Sequence, residues 1–205
     1  MDQATPTSFT AFTGNRRLAS GRLAEVAIAV KIASGGEAAG PILIFDDSTG
    51  RAIDLDLRGS HREIVARLTP ASETFAEAAA EPRGRGRPKL GVVAREVTLL
   101  PRHWEWLAAQ PGGASVALRK LVEDARRTNA DKDRLRAAVD AAYHFMAAMA
   151  GDLPGFEEAT RALFAPDAAR FAELIERWPA DIRDHARRLA TIAFGCNAGT
   201  PAAVG

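Results

Sequence analysis

The hydrophobic pattern changes period several times along the chain, and each change marks an element. Phe9-Thr10-Ala11-Phe12-Thr13 alternates apolar and polar positions, Gly14-Asn15 is a turn pair, and Arg16-Arg17-Leu18-Ala19 reads as the returning strand of a hairpin. From Arg22 to about Ala33 the apolar residues Leu23, Val26, Ala27 and Val30 recur at helical spacing, and Ser34-Gly35-Gly36 ends that run. Pro41-Ile42-Leu43-Ile44-Phe45 is a short apolar strand, Asp46-Asp47-Ser48-Thr49-Gly50 a turn, and Ala52 to Leu57 alternates strictly as a half-buried strand does. The order is ββαββ. Ser60, with Glu63 three positions on, predicts a capped helix to Leu68.

Farther along, Arg95 to Leu100 reads as a strand, and Pro101 opens a helix that carries Trp104 and Leu107. After a Pro111-Gly112-Gly113 break, Ser115 is placed to cap a helix carrying Val116, Leu118, Leu121, Val122 and Ala125. From about Asp131 the pattern is helical throughout. Leu135, Val139, Ala142, Met146 and Met149 share one face, and a short helix runs from Gly155 to Phe164. Asp167 caps a helix with Phe171, Leu174, Ile175 and Trp178, and a last helix carries Ile182, Ala186, Leu189 and Ala193. The predicted class is α+β. A small ββαββ unit (8–68) is followed by a linker and basic arm (69–91), a strand-helix-helix segment (92–127), a helical bundle (131–195) and a small-residue tail (196–205) that reads as disordered.

Composition sharpens this picture in one respect. The 205 residues are 47% apolar, enough for a real core, and the net charge is only +1. Yet between Arg83 and Arg127 ten Arg and Lys face four Asp and Glu. A nearly neutral chain that gathers its cations in one stretch suggests a polyanionic partner. The single cysteine, Cys196, excludes an internal disulfide and fits a reducing compartment. Met1 to Pro6 has neither a basic nor an apolar signal region, and no apolar run is long enough to span a bilayer, so a cytoplasmic protein with no membrane partner is expected.

Two resemblances point to DNA. Arg85-Gly86-Arg87-Pro88, within Pro82 to Lys89, resembles the core of an AT-hook, which implies that Arg83, Arg85, Arg87 and Lys89 contact phosphates or a narrow minor groove. The alternative is a flexible basic linker. The order of elements over 92–127 resembles the ribbon-helix-helix family, in which two chains pair their strands into a ribbon for the major groove. That resemblance implies a homodimer, Arg95 and Thr98 as base readers, and Gly113, Ser115 and Val116 as a phosphate clamp at the second helix. The strand departs from the family pattern. Arg95, Val97 and Leu99 share one face and Glu96, Thr98 and Leu100 the other, so no face is wholly apolar or wholly basic. A ribbon that serves only as a dimer seam, in an assembly or adaptor protein that binds no DNA, is the alternative.

The chain as a whole resembles a bacterial family known only as a domain of unknown function. The resemblance is carried by Gly86 to Gly91, Arg95 to Trp104, Gln110 to Ser115 and Trp178 to Asp184. It implies one architecture from end to end and no chemistry.

Catalytic signals are sparse. His61, His103, His144 and His185 are scattered without metal-ligand spacing, Cys196 has no companion base, and neither a phosphate-binding loop nor a nucleophile elbow occurs. No catalytic residue, metal or cofactor is assigned. Asp46, Asp47, Asp54 and Asp56 read as a solvated turn and strand face rather than a calcium loop. Trp104 is expected to pack with Leu107, and Trp106 to lie at an interface. A third possibility is an enzyme whose site lies between the N-terminal unit and the bundle, and a deep polar pocket holding His144 or His185 beside a carboxylate would favour it.

Overall fold

The computed structural model describes residues 7–35, 40–68, 93 and 95–195. The basic arm with Arg83, Arg85, Arg87 and Lys89, Cys196 and the expected disordered tail lie outside the described residues. Two compact units are present, Met1–Thr74 with Lys132–Gly205, and Phe75–Asp131.

In the first unit, β1 (Phe9–Thr13), β2 (Arg16–Gly21), β3 (Ile42–Asp46) and β4 (Arg51–Ile53) form an antiparallel sheet of order β2-β1-β3-β4. The ββαββ order of the sequence pattern is observed, with α1 (Leu23–Ser34) between the hairpins. Gly14 turns the first hairpin at φ +52°, and a bulge between Ala11 and Phe12 shifts the register against β2. The inner strands β1 and β3 are apolar on both faces because both faces are covered. Ala11 and Ile44 pack with Val26 and Val30 of α1. On the other face Phe12 and Phe45 join the core of the helices α4 (Gly113–Ala150), α5 (Phe156–Phe164), α6 (Ala168–Ile175) and α7 (Ala180–Ala193). Phe145 of α4 sits at the centre, its ring 5.4 Å from Phe12 and 5.1 Å from Phe45.

Most of the helical stripes read from the sequence are buried: Ala142 and Met146, then Phe171, Ile175 and Trp178, then Ile182, Ala186, Leu189 and Ala193, while Val139, Met149 and Leu174 are half-buried and Leu135 is exposed. Asp167 caps α6 by accepting from the backbone N–H of Arg170 at 2.9 Å. Helix α2 (His61–Leu68) begins as expected, with the Glu63 carboxylate accepting from the Ser60 N–H at 2.6 Å.

Three boundaries differ from expectation. The last strand ends at Ile53 rather than Leu57, because side chains take the carbonyls that a ladder would need. Lys31 Nζ donates to the carbonyls of Leu57 and Gly59, and Arg67 to those of Asp56 and Arg58. Leu55 and Leu57 still pack against the α1 core. Helix α4 is continuous where a break was expected between 127 and 131. Residues 128–131 contain neither Gly nor Pro, and the pairs Arg126–Glu123, Arg127–Asp124 and Arg136–Asp133 support the turns on either side. That helix also begins at Gly113, which places Ser115 inside the first turn rather than at its cap.

In the second unit, α3 (Pro101–Ala108) starts at the proline and is followed by the Gly112-Gly113 turn, with φ of +87° and +74°, and by the first part of α4. Both helices of the expected strand-helix-helix order are present. Residues 95–100 have no regular secondary structure and pair with no strand among the described residues. Leu107 is buried, but Trp104, expected beside it in the core, is 42% exposed.

Candidate functional site

The polar centre of the first unit begins at a turn. Asp46 closes β3, and its carboxylate accepts from the N–H and hydroxyl of Ser48 at 2.8 and 2.6 Å. The Gly50 N–H donates to the Asp46 carbonyl at 2.7 Å, and Gly50 adopts φ +64° to allow it. This tight turn fixes the backbone at Asp47, whose N–H donates to the Ser8 carbonyl at 3.0 Å, and directs the Asp47 side chain inward.

There the carboxylate is only 6% exposed. Its Oδ2 accepts from the Ser8 hydroxyl, from the Thr10 hydroxyl at 3.1 Å and from Arg188 Nη2 at 2.9 Å. Its Oδ1 lies 3.4 Å from His185 Nε2, a long contact rather than a full hydrogen bond. Arg188 Nη2 also lies 3.0 Å from His185 Nδ1. A guanidinium can only donate, so Nδ1 is the acceptor and the ring proton sits on Nε2, facing Asp47. Burial raises the carboxyl pKa, but the nearby His185 N–H and the hydrogen bonds from Ser8 and Arg188 outweigh it and hold Asp47 at about 2. Burial pushes His185 below its ordinary value, and the neighbouring Arg188 cation adds to this against the pull of Asp47. Asp47 is therefore ionised and His185 neutral near pH 7.

This arrangement differs from a nucleophile-activating triad. The serine hydroxyl bonds the carboxylate directly instead of the histidine, and a carboxylate held at about 2 is a weak base. His185 is 1% exposed and packed against Phe145 at 4.3 Å between ring centres, so it reaches no substrate. The pocket histidine that would have favoured an enzyme is thus beside a carboxylate but sealed from solvent. What the network achieves is to fix Arg188. Its Nη2 is fully engaged, its Nε and Nη1 have no partner among the described residues, and its side chain is 45% exposed. Arg188 borders a cleft of about 390 Å³ lined also by Ser8, Ser48, Arg134, Ala138 and Ile192. His144 lies elsewhere, bonded to the Thr49 carbonyl at 3.1 Å and to Arg51 at 3.2 Å.

Asp47 corrects the reading of its turn as solvated, whereas Asp54 and Asp56 are exposed as expected. The sequence did carry signals for the network. Thr10 is a hydroxyl on the Phe12 face of an inner strand, and His185 falls in the Ile182–Ala186–Leu189 stripe, with Arg188 three residues on.

The DNA-contact residues expected in the second unit fall as follows. Arg95, Thr98 and Ser115 are exposed, while Gly113 and Val116 are half-buried at the start of α4. Gly113 donates its N–H to the Gln110 carbonyl at 2.9 Å. Arg126 and Arg127 are paired with Glu123 and Asp124. Among the described residues no group of His, Cys, Asp and Glu could hold a metal ion, and no helix is long and apolar enough to cross a membrane.

A family model described as an uncharacterized protein conserved in bacteria, DUF2239, matches residues 8–190. The chain belongs to this bacterial family. The DUF2239 match takes in residues of both units. No curated protein and no solved structure matches the chain.

Proposed function

We propose that this DUF2239 protein binds DNA as a homodimer, in transcriptional regulation. The observation that carries the reading is the apolar surface of the central unit. Val93, Val97, Leu100, Trp104, Trp106, Leu121 and Val122 are all exposed there, Val97 by 53% and Val122 by 57%. So small a segment buries little by itself, and a surface this apolar is what a partner covers. A second copy of the same segment is the occupant that also supplies a strand for residues 95–100. The basic arm then lies close in sequence to the paired strands, where four of the ten cations of this region face polyanionic backbone. Arg95 and Thr98 are the candidate readers on the strand, and the backbone from Gly113 to Val116 is the candidate phosphate clamp.

Sedimentation of the full chain, beside anisotropy with random and A·T-rich duplexes across a salt series, tests this. A dimer is expected, with Val97→Glu and Val122→Glu shifting it to monomer. Binding should weaken steeply with salt, and Arg85→Ala with Arg87→Ala should lower the slope of log affinity against log salt by about 2. A monomer, or no binding at low salt, overturns the proposal. The alternative, an assembly protein with a ribbon-like seam, draws on Glu96 beside the expected readers and on the ion pairs of Arg126 and Arg127. It predicts the dimer without the DNA.

A further inference from the structure

We infer that the cleft beside Arg188 is a binding site for a small carboxylate with an apolar body. The inference uses the first unit alone and does not rest on the DNA reading. One end of the cleft is built for a negative head group. Asp47, His185 and Thr10 hold Nη2 of Arg188 from behind, so Nε–H and the two Nη1 protons keep a fixed direction with no partner among the described residues. Such a donor set gives up little freedom when an anion arrives. Arg134 lines the same cleft from α4, and the Ser8 and Ser48 hydroxyls border it.

The donors select the class of anion. The Asp47 carboxylate is turned inward with its Oδ2 filled by three donors, so the open N–H groups of Arg188 are the oriented charged donors at this end of the cleft. One oriented guanidinium suits a singly charged carboxylate head, whereas a doubly charged phosphate calls for further oriented cations.

The rest of the cleft is apolar. Ala137, Ala138 and Ala141 are small enough to leave a groove along α4, and Leu189 and Ile192 of α7 form its other wall. Ile192 is exposed although it borders the cleft. A volume of about 390 Å³ falls within the range of small-molecule sites.

The probes are octanoate, octyl phosphate and octylammonium, titrated into the isotope-labelled full chain and followed by amide chemical shifts. Octanoate should give saturable shifts at Ser8, Ser48, Ala138 and Ile192, and octylammonium should bind more weakly. Two variants spare the Asp47 network. Arg134→Gln removes the second cation and should weaken octanoate about fivefold, and Ile192→Glu should weaken it further by placing a like charge on the wall. Circular dichroism confirms that each variant is folded. No saturable shift with millimolar octanoate overturns the inference, as does octylammonium binding equally well or indifference to both variants. Tighter binding of octyl phosphate than of octanoate overturns the carboxylate assignment.

Discussion

Replacing Asp47 by Asn changes one oxygen to an NH2 group and leaves the shape alone, so it isolates the charge. In the native site Oδ2 accepts from Ser8, Thr10 and Arg188, and Oδ1 faces the proton on His185 Nε2. An amide can satisfy only one side. With its carbonyl toward the three donors, its NH2 meets the Nε2 proton; turned round, the NH2 meets the three donors. His185 cannot relieve this by moving its proton, since Nδ1 already accepts from Arg188. Lowering the carboxyl from 3.8 to about 2 corresponds to about 2 kcal/mol of stability at neutral pH. A buried donor facing a donor adds ~1–2 kcal/mol, and the partial exposure of Arg188 keeps the sum at about 2–4 kcal/mol. For a chain of this size the melting temperature should fall by roughly 5–15 °C.

The check is urea unfolding of both proteins by circular dichroism near neutral pH and again near pH 3. The sign is set by the depressed carboxyl pKa. Its stabilisation is complete above the ordinary value of 3.8 and disappears as pH falls through about 2, so the gap between the proteins must narrow on acidification. A difference under ~0.5 kcal/mol at neutral pH, which is ordinary for a surface substitution, would refute the reasoning. So would a difference that does not change with pH.

Two further outcomes follow from the same region. A Cβ on Gly50, already at φ +64°, would stand 1.8 Å from the Ala141 carbonyl oxygen, so Gly50→Ala should cost at least about 3 kcal/mol or abolish soluble expression. A thermal melt like that of the native protein would show that the turn is not pressed against α4. His185 has a lowered pKa, so it contributes stability that is complete above its ordinary value of 6.5 and is lost as pH falls below it toward the folded value. His185→Gln, which keeps a donor and an acceptor but does not titrate there, should flatten the urea midpoint against pH in that window, and an unchanged slope would count against a buried neutral histidine.

Much of the fold was legible because it is local. The period of the apolar residues located α1 and the C-terminal helices, and the Asp167 cap and the Ser60–Glu63 pair marked helix starts that the structure contains. What was not legible depends on partners far away in sequence. Asp47 in a glycine-ended turn looks like any solvated aspartate, and its burial depends on Arg188, 141 positions away, and on His185. Beyond the end of β4, Lys31 and Arg67 take the carbonyls of Leu57 and Asp56, which no alternation pattern encodes. Trp104 looked like a core residue because apolar periodicity does not say whether its cover comes from the same chain.

The two-faced burial of the sheet has a consequence for biosynthesis. β1 and β3 are made before the C-terminal helices, and α1 lies between them and can cover one of their faces soon after. The face bearing Phe12 and Phe45 has its cover in Phe145 and in the helices that end with α7. A chain leaving the ribosome therefore carries an uncovered aromatic surface, with its unshielded strand edges, until more than a hundred further residues have been made. Ribosome-stalled chains ending before Ala180 should be protease-sensitive throughout the sheet and held by chaperones, and release of α7 should close the core in one late step.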